Sequence, residues 1–173
     1  MAATTCSLAE LNAMPAAEFA AALGDVFEHA PWVAARAEPG RPYPDVAALH
    51  EALMQAVRGA PRDTQLAFLR GHPELGGKVA RAGAMTDASK SEQGGLGLDR
   101  LEAKEFATFD RLNAAYRQRF GFPFIICVRR HTRASILTEF ERRLHNDREA
   151  ELAAALAEIG HITRLRLDGR VHE

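Results

Sequence analysis

One histidine, in the segment G-H-P-E-L-G-G-K at residues 71–78, is well placed for acid–base chemistry. The helical pattern of residues 62–70 runs into this segment, where Gly71 can supply a left-handed cap and Pro73 prevents the helix from continuing. His72 is therefore expected at a rigid corner, and an imidazole titrates near neutral pH. From the residues alone, a buried histidine satisfied by a nearby carbonyl is the more frequent alternative.

Two later segments carry groups that could share a pocket with this histidine. The first, S-K-S-E-Q-G-G-L-G-L-D at residues 89–99, places Glu92 and Gln93 among small residues, and taken alone it is typical of a solvated loop. The second, F-G-F-P-F-I-I-C-V-R at residues 120–129, contains an apolar run that is typical of core. Core and pocket wall are compatible interpretations of this run, because most ligand pockets have apolar walls and a few placed polar groups.

Arginines and metal ligands give weaker signals. Arg164 and Arg166 lie near the end of the last predicted helix, where cations are favoured in any case.

The sequence has no H-E-x-x-H motif and no cysteine pair, so it contains no recognisable metal-ligand spacing. A metal site assembled from distant histidines stays open as an alternative.

The order and spacing of these segments resemble the 2-oxo-4-hydroxy-4-carboxy-5-ureidoimidazoline (OHCU) decarboxylase family. The matching motifs are H-P-x-L-G, S-x-x-E-Q and F-G-F-P-F-I-I-C-V, with L-N-A-A-Y at residues 112–116 and two C-terminal helices over residues 136–167. Most of the chain from about Leu8 onward is covered. The resemblance implies decarboxylation of OHCU to (S)-allantoin and carbon dioxide, the last step from urate to allantoin in purine catabolism, with no cofactor.

The resemblance also implies roles for single residues. His72 is the implied general acid and base, Glu92 is the carboxylate that works beside it, and Arg166 is the third catalytic residue. The family's I-x-x-x-R-L register fits Arg166 and not Arg164. The resemblance places the following residues in the substrate pocket: Pro73, Ser89, Glu92, Gln93, Phe124, Ile125, Ile126, Cys127 and Val128. It implies no metal ligand, and it implies a homodimer.

Composition excludes several classes of protein. A length of 173 residues with 47% hydrophobic and 26% charged residues is typical of one folded globular domain. A formal net charge of −1 offers no electrostatic footprint for nucleic acid or an anionic membrane. Cys6 near a loose terminus and Cys127 in an apolar run make a disulfide framework unexpected. With no signal sequence and no apolar stretch of membrane-spanning length, the expected location is the cytoplasm.

The hydrophobic pattern predicts an all-α fold, with one compact multi-helix domain over residues 1–173. Predicted helices cover residues 8–14, 16–27, 45–58, 62–70, 101–119, 133–144 and 148–167, with Ser7 and Asp45 as N-caps. Pro31, followed by Trp32 and Val33, suits the first turn of a further helix. Residues 82–97 are predicted to form an active-site loop with a helical turn at residues 91–94. Residues 124–128 are predicted to be an extended segment or the start of a buried helix, because a single strand would have no partner.

Two other functions remain open at this stage. A metal-dependent hydrolase acting on a ureide could use the same helical scaffold. A non-catalytic binding module could keep the core and lose the chemistry, although the presence of both His72 and Glu92 counts against it. The expected partner of the decarboxylase is its small-molecule substrate, OHCU, and neither nucleic acid nor a membrane is expected.

Overall fold

The structure, a computed structural model, describes residues 5–77 and 85–173, and its regular structure is almost all helical. The described α-helices are α1 (Leu8–Ala13), α2 (Ala16–Leu23), α3 (Pro31–Ala37), α4 (Val46–Arg58), α5 (Arg62–Arg70), α6 (Asp87–Gly95), α7 (Ala103–Phe120), α8 (Arg133–Arg143) and α9 (Arg148–Asp168). Single 3-10 turns lie at Glu38–Gly40, Leu98–Arg100 and Val128–Arg130. Two-residue strands β1 (Cys6–Ser7) and β2 (Val171–His172) pair in parallel. The predicted all-α class is confirmed.

The starts of two helices follow capping residues that the sequence displays. Ser7 Oγ accepts the N–H of Glu10 at 3.2 Å, and the Glu10 carboxylate accepts the N–H of Ser7 at 2.8 Å, so α1 begins with a capping box. Asp45 Oδ1 accepts the N–H of Ala48 at 2.7 Å at the start of α4. Both predicted N-caps are confirmed.

Two local predictions are wrong near the N-terminus. The helix predicted over residues 16–27 ends at Leu23, because the weak helix former Gly24 follows and the chain turns before α3, with His29 at a φ of 49°. Cys6, expected in a loose terminus, donates its N–H to the carbonyl of Arg170 at 2.9 Å within the β1–β2 pairing. The backbone near Cys6 is therefore tied down by hydrogen bonds.

The described residues divide into two compact units, one within Met1–Phe68 and Gly160–Glu173 and the other within Leu69–Ile159. The chain passes between the units inside α5 and α9. In the first unit, the apolar face of α4 is fully buried together with residues of α2 and α3: Leu49, Leu53, Met54, Val57, Phe19, Leu23 and Val33. This helical spacing of buried residues is the pattern expected of an amphipathic helix packed on a core.

The second unit is built around an aromatic cluster on and after α7. Its members are Tyr116, Phe120, Phe122, Phe124 and Phe140, each at most 2% exposed. The rings of Phe124 and Phe140 stack with centroids 3.8 Å apart, and the Arg143 guanidinium lies 4.4 Å from the Phe124 centroid. Arg143 Nε also donates to the buried Glu151 carboxylate at 2.7 Å. This packing fixes the chain that follows α7, where the apolar run of the third motif lies.

Candidate active site

His72 lies just after α5, which ends at Arg70 as predicted. The N–H of His72 donates to the carbonyl of Leu69 at 3.1 Å, and the residue is half-buried. The glycine of this segment with a left-handed backbone is Gly76, at a φ of 61°, and not Gly71. The left-handed turn therefore follows the histidine instead of preceding it.

The histidine opens onto a cleft of about 410 Å³. A volume of this size suits a small-molecule ligand. Two of the predicted site residues, His72 and Pro73, line the cleft. The described residues that line it are Arg70, Gly71, His72, Pro73, Glu74, Met85, Arg117, Gly121, Phe122 and Pro123.

Two charged residues of this cleft were missed by sequence reasoning. Glu74 is 5% exposed, and its carboxylate accepts a hydrogen bond from Nη1 of Arg117, whose side chain is 51% exposed. Burial raises the pKa of the Glu74 carboxyl, although the Arg117 guanidinium acts in the opposite direction. Glu74 stands inside the H-P-E-L-G motif, which was a usable signal. No spacing rule links it to Arg117, 43 residues further on.

Ser89, Glu92 and Gln93 lie on α6 and not in a loop. The hydroxyl of Thr86 accepts the N–H of Ser89 at 3.3 Å and caps the helix. Ser89 and Gln93 are buried one turn apart, whereas Glu92 is half-buried. The predicted active-site loop is therefore wrong for Asp87–Gly95, because the cap and the buried face outweigh the low helix propensity of serine and glycine. Residues 82–84 of that prediction lie outside the described residues.

The apolar run contributes five buried residues: Phe124, Ile125, Ile126, Cys127 and Val128. Residues 124–127 belong to no helix or strand, in agreement with the predicted extended segment. Side chains bind two of its main-chain groups, since Arg143 Nη1 donates to the carbonyl of Ile125 at 2.8 Å and Glu158 Oε2 accepts the N–H of Cys127 at 2.8 Å. Burial raises the pKa of the Cys127 thiol, as do the carboxylates of Glu158 and Glu92. Glu92 therefore lies within electrostatic reach of this segment.

Arg166 belongs to the first unit. Its Nη1 donates to the carbonyl of Val26 at 3.3 Å and to Oε2 of Glu28 at 3.2 Å. The side chains of Arg166 and Glu28 are 8% and 1% exposed, whereas Arg164 is 40% exposed and pairs with Asp168. Burial thus distinguishes Arg166 from the neighbouring Arg164, and the catalytic role of Arg166 stays a prediction.

The described part of the chain bears on three further expectations, which concern metal ligands, membrane spans and disulfides. Within residues 5–77 and 85–173, no three His, Cys, Asp or Glu side chains form a group that could hold a metal ion. Over the same ranges, no helix combines the length and apolar character needed to cross a membrane. Cys6 and Cys127 are both free thiols, so neither contributes a disulfide.

Comparison with known proteins gives a match to the family model described as OHCU decarboxylase over residues 12–168. The chain belongs to the OHCU decarboxylase family. The 2-oxo-4-hydroxy-4-carboxy-5-ureidoimidazoline decarboxylase of Haloferax volcanii is 41% identical over 164 residues, which cover 95% of each chain. The uric acid degradation bifunctional protein PucL of Bacillus subtilis is 40% identical over 91% of this chain and 31% of its own length. A crystal structure of (S)-allantoin synthase superposes with a TM-score of 0.73 and 27% identity, covering 96% of this chain and 54% of that one.

Membership of the OHCU decarboxylase family decides among the three functions left open by the sequence. The family resemblance is confirmed, and the chain is an enzyme of the decarboxylase class. Family membership gives no support to a hydrolase or to a non-catalytic module. The individual site residues remain predictions that the geometry above makes testable.

Proposed function

We propose that this chain decarboxylates OHCU to (S)-allantoin without a cofactor and that His72 transfers the protons. The reaction class follows from family membership: OHCU decarboxylation to allantoin in urate degradation. The observation that carries the proposal for His72 is that it lines a cleft of small-molecule size, directly after a helix end. Imidazole is suited to the task because its pKa lies near neutral pH.

The substrate itself supplies the electron sink. It carries a hydroxyl and a carboxylate on one ring carbon, next to a C=N bond. When the bond to the carboxylate breaks, carbon dioxide leaves, the electron pair forms a carbon–carbon double bond and the imine nitrogen takes a proton. The neighbouring carbon then takes a proton, and the hydroxyl loses its own proton to become the carbonyl of allantoin. The protein is left with binding, orientation and proton transfer.

The proposed roles divide these tasks among the predicted residues. Glu92 orients the imidazole of His72 and the substrate hydroxyl. Arg166 binds the oxygens of the planar ureido or ring carbonyl groups. Protonation from one face gives the (S) product. Acid–base assistance of this kind contributes roughly 10²–10⁴-fold to the rate. The pocket is completed by Pro73, Ser89, Gln93 and residues 124–128.

Circular dichroism of the product tests the function directly. Uric acid is converted in the cuvette by purified upstream enzymes, with and without this protein. The expected result is rapid appearance of the (S)-allantoin signal only when the protein is added. Continued slow, racemic decay would overturn the proposal.

Substitution of the histidine tests its role. His72→Asn is expected to lose most activity and keep its fold, whereas His161→Asn, at an exposed position of α9, should retain activity. Near-native turnover by His72→Asn would remove this residue from the mechanism.

Arg166 needs a paired design, because its guanidinium also neutralises the buried Glu28 carboxylate. Arg166→Met alone removes the guanidinium beside the buried Glu28 carboxylate and is expected to destabilise the first unit, since the ion pair of Glu28 with the half-exposed His29 is longer, at 3.8 Å. In the double variant Glu28→Gln/Arg166→Met the fold should recover while activity stays low. Recovery of activity in the double variant would show that Arg166 is only structural.

The remaining proposals concern assembly and location. A homodimer is proposed, and light scattering on the purified protein measures its mass. The cytoplasm is proposed as the compartment, which the two free thiols support because disulfides persist mainly in oxidising compartments. One domain is proposed for residues 1–173, and the family match over residues 12–168, which includes parts of both units, supports it.

A further inference from the structure

The turn of residues 72–77, here named the histidine turn, is held by Gln93 of α6. Gln93 Oε1 accepts the N–H of Gly76 at 3.2 Å, and its Nε2 donates to the carbonyl of Glu74 at 3.1 Å. The same nitrogen lies 3.4 Å from the sulfur of Met85. Since Gln93 is only 5% exposed, both ends of its amide are committed to protein groups. Its contacts are those of a residue that shapes the turn.

Asn113 of α7 holds the histidine turn from a second helix. Its Nδ2 donates to the carbonyl of Leu75 at 2.8 Å, and the residue is 2% exposed. Gly77 makes room for this approach, because an added Cβ would lie 2.9 Å from Asn113 Nδ2. Side-chain amides therefore bind main-chain groups of three consecutive residues of the turn. Gln93 binds those of Glu74 and Gly76, and Asn113 binds that of Leu75.

The energetic case for Asn113 as a positioning device comes from its unpaired oxygen. Within the described residues, its buried Oδ1 has no hydrogen-bond partner. Burying a polar atom without a partner is unfavourable, and an apolar residue of similar size would avoid that cost. The asparagine does, however, supply the Nδ2 donor that an apolar residue lacks, and this group binds the carbonyl of Leu75. The residue belongs to the L-N-A-A-Y motif, to which the proposed reaction assigns no task.

We propose that Asn113 is a positioning residue which, together with Gln93, fixes the backbone that aims the His72 imidazole. One end of the turn is held where the His72 N–H donates to Leu69, and the amides hold the other end. Pro73 is rigid between them. The proposal rests on the proposed role of His72. A shift of about 1 Å in a reacting group costs on the order of 10² in rate. Loss of the hydrogen bonds from Asn113 and Gln93 to this turn should therefore lower kcat.

Asn113→Asp is the first variant, because it is nearly isosteric but replaces the donor with an acceptor that repels the Leu75 carbonyl. The expected result is a fall in kcat of roughly ten- to a hundredfold, with a much smaller change in KM. Gln118→Glu makes the same amide-to-carboxylate change on the exposed face of α7 and should leave kcat unchanged.

Gly77→Ala is the second variant, and it covers the case in which Asn113→Asp does not fold. It keeps both amides and pushes Asn113 away through the added methyl group. Gly95→Ala is its matched control, because a Cβ there meets no atom within 4 Å. The Gly77 variant is expected to lower kcat in the same direction as Asn113→Asp, and the Gly95 variant should not.

A measurement independent of turnover separates this proposal from the proposed function. In nuclear magnetic resonance spectra without substrate, the His72 ring signal should shift or broaden in Asn113→Asp and Gly77→Ala, and the Gly76 amide should exchange faster with solvent. An unchanged His72 signal in a folded variant would overturn the proposal, as would a lower melting temperature with unchanged kcat. If His72→Asn proves active, the proposed role of His72 fails, while the ring signal still tests whether Asn113 and Gln93 fix this turn.

Discussion

Glu74 shows how burial and charge compete at one residue of the cleft. Its carboxylate is almost fully buried, and its partner Arg117 is half exposed to solvent. Solvent screens the attraction of an exposed guanidinium, so the ion pair offsets the desolvation of the carboxylate only in part. This balance agrees with a raised pKa of the Glu74 carboxyl.

The free energy of unfolding of Glu74→Gln is predicted to increase, relative to that of the parent protein, as the pH rises. A raised folded-state pKa means that the folded protein binds the proton more tightly than the unfolded chain. The stability from that proton is complete below the ordinary glutamate pKa of about 4.3 and is lost as the pH rises through the folded value. Urea unfolding at pH 5 and pH 8 measures the difference in the free energy of unfolding between variant and parent.

The control for this prediction is Glu105→Gln, which removes the half-exposed ion pair with Arg133. That variant should lower the free energy of unfolding by less than about 1 kcal/mol. A Glu74→Gln variant that is destabilised equally at pH 5 and pH 8 would contradict the prediction.

At this scale the sequence revealed motif residues but not their partners. His72 could be recognised because glycine and proline bracket it locally. The roles of Glu74 and Asn113 depend on groups 43 and 38 residues away, and no local pattern records those distances. Arg166 could be separated from Arg164 by register, but its pairing with Glu28 could not be foreseen.

Among the elements, α6 carries three predicted site residues on a sequence that forms helices poorly. Its composition of serine and glycine favoured the prediction of a loop. The Thr86 cap and the burial of Ser89 and Gln93 hold it as a helix. Tertiary packing overrode local propensity here, whereas the strongly amphipathic α4 and the capped α1 were predictable from their own residues.

Thr86→Val is predicted to weaken α6 and slow turnover, because valine keeps the shape of threonine and removes the oxygen that accepts the Ser89 N–H. Loss of an N-cap costs about 1 kcal/mol. Thr86→Ser, which keeps the oxygen, should restore both properties. Hydrogen exchange of the α6 amides, with kcat, measures the effect. Equal protection in the valine and serine variants would rule out the cap as the cause.

For the whole molecule, the Arg143–Glu151 pair is expected to be decisive for stability. The two side chains are 2% and 0% exposed, and Arg143 also holds the carbonyl of Ile125. Arg143→Met leaves the Glu151 carboxylate buried without its cation, which is expected to cost about 3–5 kcal/mol. Urea unfolding followed by fluorescence measures this loss.

The neighbouring residue supplies the comparison. Arg142 pairs with Glu139 at the surface, so Arg142→Met should cost less than about 1 kcal/mol. If the two variants lose similar amounts of stability, burial is not what makes the Arg143 pair important.

Removal of bound metal tests whether the reaction of this protein depends on a metal ion. Because the substrate provides its own electron sink, protein treated with a chelator and then desalted is expected to keep full activity. Elemental analysis of the same sample establishes its metal content. Activity that is lost on chelation and restored by zinc would favour metal-dependent chemistry instead.

The all-α class and the order of the main helices followed from periodicity and capping residues. The division into two compact units did not, because α5 and α9 each continue through the boundary without a break in pattern. A helix that serves two units has the same local sequence signals as one that serves a single unit. Only the contacts between distant segments distinguish them.

The pairing of β1 with β2 determines how the chain would respond to mechanical force. Both strands run in the same direction, with Cys6 opposite Val171 and Ser7 opposite His172. Tension applied before β1 and after β2 would therefore load their hydrogen bonds in shear, so that these bonds share the load and fail together. An antiparallel pair would unzip one bond at a time. Under load, the helices of the first unit would thus be protected until this short bridge ruptures.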